Sequence, residues 1–185
     1  NVISGNNEAG IRIIAGSGHN IAQNLIGTDV SGISGLGIQD TGISVINTNG
    51  INIGGDYMTE RNVIAGNDFA GICIDNSTAV AVKGNTIGNI STFTQQNGVI
   101  LAGGSTANFI GEPNAVNFGN EFIQNLNAGI VINDGAFFNK IRSNYIGYFR
   151  NNSLPDTLQE VGILVESTAG TANRLGEDTP GAGNY

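Results

Sequence analysis

The sequence predicts an all-β fold, a parallel β-helix (solenoid) of about six turns with three short strands in each. Three observations predict it. A ten-residue phrase occurs three times, as NVISGNNEAG from Asn1, NVIAGNDFAG from Asn62 and NEFIQNLNAG from Asn120. Each copy runs straight into an apolar strand, and the motif Gly-[Ile/Val]-x-[Ile/Leu/Val] recurs from Gly10, Gly42, Gly71, Gly98, Gly129 and Gly162. No stretch of about eleven residues keeps a 3.6-residue apolar period free of glycine, which leaves no room for a helix.

Each glycine motif opens a turn and supplies its first strand. In turns one, three and five the second strand carries Ile21, Val82 or Ile141. Asn24, Asn85 or Asn144 then opens Asn-x-Ile-Gly, the third strand, and a loop follows (28–41, 89–97, 148–161). In turns two, four and six the loop comes earlier, after Ile53-Gly54, Ile110-Gly111 and Leu175-Gly176 (55–61, 112–119, 177–183). There the ten-residue phrase supplies the third strand, with Ile3, Ile64 and Phe122 in the place of Ile26. The repeat is therefore two turns, about 60 residues, with loops projecting alternately from two corners.

Strand alternation turns Ile11 and Ile13 to one side and Arg12 to the other. Stacking then builds two internal columns: Ile11, Ile43, Ile72, Val99, Ile130 and Ile163, and Ile13, Val45, Ile74, Leu101, Ile132 and Val165. Burying each aliphatic is worth roughly 1.5 to 3 kcal/mol against an ordering cost of similar size per residue, so a single turn does not fold alone. Asn24, Asn62, Asn85, Asn120 and Asn144 fall at the bend before the third strand. A short amide there satisfies backbone groups of the bend and bonds to its neighbours in the stack, which predicts an asparagine ladder rather than a lined ligand groove. The 29 glycines fit tight corners and close backbone approach.

The phrases NLIGTDVSGISGLG, NGINIGG and RNVIAGN resemble the repeats of secreted bacterial right-handed parallel β-helix proteins, large cell-surface polypeptides of the adhesin-like type. The resemblance covers essentially the whole chain and implies a right-handed coil, the hand that parallel crossovers also favour. It implies a secreted or bacterial cell-surface location. For activity it implies little, because this architecture hosts pectin-cleaving enzymes, epimerases, tailspikes, adhesins and ice-binding proteins alike.

The unbroken register predicts one domain over 1–185, an internal segment of a longer array, since neither end carries a recognisable polar cap. Seven Lys and Arg against 15 Asp and Glu give a net charge of −8, which argues against nucleic acid. The one cysteine forms no internal disulfide, and Cys73, between inward Ile72 and Ile74, should face outward as a surface thiol. No apolar run of about 18 residues is present, so no membrane insertion is expected.

A polysaccharide-cleaving β-helix needs clustered acids, as an acid–base pair or a Ca²⁺ site beside Arg or Lys. The outward column of the first strand reads Arg12, Ser44, Cys73, Ile100, Val131 and Leu164, without a carboxylate. Asp75, Asn133-Asp134 and Glu166 follow that strand, and Lys83, Lys140 and Arg142 lie by the second. Asp75 and Asp134 are two turns apart, about 10 Å, too far for a shared proton or metal. Asp29 and Asp40 flank the first loop as weak Ca²⁺ candidates, and otherwise no cofactor is expected. His19 has no metal-ligand or triad spacing around it and reads as a surface turn residue. Thr28, Thr48, Thr78, Thr86, Thr106 and Thr168 do not share one position, which counts against a threonine array for ice. Sequons stand at Asn76, Asn89 and Asn151.

One surface feature grows along the chain: Ile100, Val131 and Leu164 form a contiguous outward apolar strip. Such a strip is expected to lie under the 148–161 loop, with its Tyr148 and Phe149, or against another chain. The sequence thus predicts a structural or adhesive module, a spacer roughly 30 Å long. Its partners would be other segments of the same chain, neighbouring subunits or surface glycans. The alternative is a carbohydrate-active or carbohydrate-binding β-helix whose site lies partly outside this segment. The corner residues Asn7-Glu8, Asp68-Phe69 and Leu126-Asn127, which differ between copies, are where recognition has room to vary.

Overall fold

The computed structural model describes residues 1–37, 39–88, 95–112, 119–149, 151, 159–176 and 183–184. These residues coil into a parallel β-solenoid of three six-stranded sheets, each turn adding one strand to every sheet. The first sheet stacks Ala9–Ile14, Thr41–Ile46, Ala70–Asp75, Asn97–Ala102, Ala128–Ile132 and Val161–Val165. Its members are the six glycine motifs in their expected order. The second sheet stacks Asn20–Ile21, Asn52–Gly54, Ala81–Lys83, Phe109–Ile110, Lys140–Ile141 and Arg174–Leu175. The third stacks Val2–Ile3, Leu25–Ile26, Val63–Ile64, Thr86–Gly88, Glu121–Ile123 and Tyr145–Ile146. Six strands at the usual spacing span about 24 Å from first to last. Among the described residues the one helical segment is a single 3₁₀ turn, Met58–Glu60, and no helix is long and apolar enough to cross a membrane.

Register fixes the core. Ile11, Ile43, Ile72, Val99, Ile130 and Ile163 are successive partners, as are Ile13, Val45, Ile74, Leu101, Ile132 and Val165. Ile53, Val82 and Ile110 enter from the second sheet and Ile26, Ile64, Ile87 and Phe122 from the third, all fully buried. Like stacks on like because parallel pairing in register puts identical residues at identical height.

Every corner is closed on its inner side by polar side chains. Between the second and third sheets, the amides of Asn24, Asn62, Asn85 and Asn120 each donate to the next, ending at Asn144. The same run continues to Asn1 on one side and Asn184 on the other. From Asn62 onward each side-chain oxygen also accepts from the backbone N–H of the residue one turn back, as Asn85 Oδ1 does from Asn62 at 3.2 Å. Between the first and second sheets, the Thr48 hydroxyl donates to that of Ser77 and the Ser77 backbone N–H to the Ser105 hydroxyl, and Asn108, Asn139 and Asn173 form a second asparagine run.

Between the third and first sheets runs a mixed column: Asn6, Gln39, Asn67, Gln95, Asn125 and Gln159, each bonded to the next. The Asn members stand four residues before the motif glycine and the Gln members three, so one further methylene stands in for one fewer backbone residue. The motif glycines sit against this column. A Cβ on Gly98 would meet the carbonyl oxygen of Gly129 and, at 2.7 Å, the ring of Phe122. Close approach, not positive φ, therefore demands glycine there. The glycine ending Asn-x-Ile-Gly differs: Gly88 has φ +90°, and a Cβ on it would strike the Ile123 carbonyl.

One expectation needs correcting. Thr78 and Thr106 do share a position, bridging in parallel within a column that also contains Ser17, Asn49 and Phe137. The pair was hidden because its alignment runs through a corner rather than a strand. Two threonines in a five-residue column still make no flat array.

Candidate functional site

The corner between the third and first sheets differs on its outer side between odd and even turns. Odd turns carry one extra residue after the ladder amide, namely Asn7, Asp68 or Leu126. Two successive N–H groups then converge on one carbonyl of the turn before. Phe69 and Ala70 both donate to Asp40, at 2.8 and 3.3 Å, and Asn127 and Ala128 both donate to Gln96, at 2.8 and 3.3 Å. Two residues opposing one is a bulge, and bulges re-aim side chains. Phe69 and Leu126 are pushed outward accordingly, 47% and 40% exposed.

Between them lies a shallow groove of about 430 Å³ lined by Phe69, Gln96, Asn97, Leu126, Asn127 and Glu160. Asn127 Nδ2 donates to Asn97 Oδ1 at 2.8 Å, and Asn97 Nδ2 reaches the Phe69 carbonyl at 3.4 Å. The Gln96 amide and the Glu160 carboxylate are exposed and make no side-chain hydrogen bond or ion pair among the described residues. Of the variable corner residues, Phe69, Leu126 and Asn127 line this groove. Gln96, Asn97 and Glu160 come from the even turns and carried no repeat signal of their own.

The outward strip lies beside the groove on the first sheet. Ile100 and Val131 are only 5% and 4% exposed within the single chain and cluster with Ala70, Ala128, Cys73, Ala102, Val161 and Leu164. Cys73 is half-buried there. Desolvation, reinforced by the charges of Asp75 and Asp40, pushes its thiol up to about 11, so it stays protonated at neutral pH and is a poor nucleophile. The 148–161 loop lies largely outside the described residues, as does Asn89. Tyr148 packs edge-on against Tyr145 of the third sheet at 5.8 Å.

The acids and bases singled out by position serve elsewhere. Lys83 pairs with Asp56 at 2.6 Å, with Glu112 at 3.9 Å. Lys140 and Arg142 lie over the Phe109 ring at 5.8 and 5.4 Å. Asp75, Asp134 and Glu166 form no salt bridge among the described residues. Asp29 Oδ1 accepts from the Ser31 hydroxyl at 2.6 Å and from the backbone N–H groups of Ser31, Ile33 and Ser34, which lowers its pKa and folds the loop around it. Asp40 Oδ2 accepts from the Thr41 hydroxyl at 3.1 Å. His19 is exposed. Among the described residues no three His, Cys, Asp or Glu side chains gather as a metal site.

A second cleft, about 320 Å³, opens over the third sheet between Met58, Arg61, Glu121, Phe149 and Asn151. Arg61 bridges the buried Glu121 carboxylate at 3.1 Å and the Thr86 hydroxyl at 3.1 Å, anchoring the 55–61 loop to the sheet. The signal missed was Glu121 itself, a carboxylate at the outward position next to Phe122.

The fold defines the class, a parallel β-solenoid. Comparison with protein-family models, with characterised proteins and with solved structures finds no match, so function has to be argued from the chain's own geometry.

Proposed function

We propose that this chain is a structural and adhesive solenoid module of a large secreted or cell-surface protein, a stiff spacer that displays recognition residues at its corners. One observation carries this. The repeated residues are consumed by the stack: every ladder amide from Asn24 to Asn144 is bonded along the axis, and the motif glycines and aliphatics close the core. Variation is left to the corners and loops, as in scaffolds that hold exchangeable binding surfaces. The resemblance of the repeats to adhesin-like surface polypeptides supports the location.

The test uses beads coated with the chain and drawn by flow across surfaces bearing immobilised polysaccharides. Coated beads are expected to be retained on at least one surface where bare beads wash off, with no polysaccharide cleaved. Cleavage by the chain, abolished by Asp75→Asn or Asp134→Asn, would overturn the proposal in favour of a carbohydrate-active enzyme.

A further inference from the structure

We infer that the groove formed by Phe69, Gln96, Leu126, Asn127 and Glu160 binds a neutral polysaccharide, its chain lying along the solenoid axis. The inference rests on the adhesive reading above and names the ligand class.

Its chemistry alternates within one line. The residue two before each motif glycine forms a column up the corner: Glu8, Asp40, Phe69, Gln96, Asn127 and Glu160. A half-exposed aromatic thus stands below an exposed amide, a second amide and an exposed carboxylate, the Gln96 amide and the Glu160 carboxylate having no side-chain partner among the described residues, with Leu126 bulged out beside them. A sugar ring has the matching pair of surfaces. Its C–H face stacks on an aromatic ring, while its hydroxyls donate to a carboxylate and exchange hydrogen bonds with amides.

The step from turn to turn, about 4.8 Å, is close to the length of one pyranose in an extended chain, so successive sugars meet successive turns. The bulges at Phe69 and Asn127 are what expose the apolar members; in register pairing would have left a flat polar edge. Charge selects the class further. Among the described residues no Lys or Arg lines the groove, Glu160 faces it, and the chain carries −8 overall, which disfavours uronates and sulfated glycans.

The experiment is calorimetric titration of the chain with cellohexaose, chitohexaose, maltohexaose and hexagalacturonate. At least one neutral hexamer is expected to bind with Kd of about 1 mM or tighter, and hexagalacturonate not at all. Phe69→Ala and Glu160→Gln should each weaken binding about tenfold, with thermal unfolding unchanged for the exposed Glu160 and lowered only slightly for the half-exposed Phe69. Titration of isotope-labelled protein should shift the Gln96 side-chain amide resonances. Absence of neutral binding, neutral binding indifferent to both substitutions, or preference for hexagalacturonate would each overturn the inference. Bead retention under flow that survives Phe69→Ala would do so too, yet leave the adhesive module standing.

Discussion

Replacing Asn85 by alanine strips partners from both neighbouring turns. Its oxygen accepts from the N–H and the amide of Asn62, and its Nδ2 donates to Asn120, to Ile53 and to Lys83. All but the part-buried Lys83 contact is buried, so most of the orphaned groups find no water. The expected cost is about 4 kcal/mol, read as a fall in the urea midpoint with unchanged slope. Asn52→Ala, which breaks only the exposed 2.9 Å contact to Asn20, should cost about 0.5 kcal/mol and serves as the control. A second residue gives a pH signature. The Cys73 thiol is raised from 9.0 to about 11 in the fold, so the unfolded chain loses its proton first as pH rises. Stability contributed by the protonated thiol is complete below the unfolded value and is lost as pH climbs from 9.0 through about 11. Unfolding midpoints of the wild-type chain should fall across that window, and those of Cys73→Ala should lack that component of the fall.

At the scale of the element, the corners explain which parts of the molecule were legible. The Asn24-to-Asn144 ladder could be read directly because one residue type recurs two residues before the inward apolar residue of every third strand, Ile26, Ile64, Ile87, Phe122 and Ile146. The column from Asn6 to Gln159 could not, because both residue type and offset to the motif glycine change in every turn. The groove was half legible for the same reason. Phe69, Leu126 and Asn127 vary within a recurring phrase and attract notice, whereas Gln96 and Glu160 follow loops of dissimilar sequence. The bulge that brings them together depends on which carbonyl an N–H chooses, and sequence does not encode that choice locally. The alternation itself is testable. Gln95 is fully buried, donates to Asn125 at 2.9 Å and accepts from Asn67 at 3.0 Å. Gln95→Asn shortens the reach by one methylene and should cost about 2 kcal/mol in urea unfolding. Pairing it with a one-residue insertion before Asn97 to recreate the odd-turn spacing should recover part of that loss.

For the whole molecule, the same alternation sets the unit by which the array can grow. In a stack where each turn touches only its neighbours, stability approximates a sum of turn and interface terms, so length can be changed if the interfaces are kept. Duplicating residues 42–97 places Asn67, Gln95, Asn67 and Gln95 in succession before Asn125. This preserves the Asn/Gln order, the Asn62 and Asn85 ladder and the alternating loops. Each sheet would grow from six strands to eight. The urea m-value should rise by about one third if unfolding remains cooperative, because m follows the surface exposed. Duplicating residues 42–70 alone inserts one turn and sets two Asn67 corners against each other, each with its extra residue. The shorter amides then face a doubled bulge and cannot span it, leaving buried amide groups without partners. The single-turn variant should therefore unfold at lower urea than the wild-type chain, although it buries more apolar surface. Equal or greater stability would show that the ladders tolerate register change and that the true repeat is one turn.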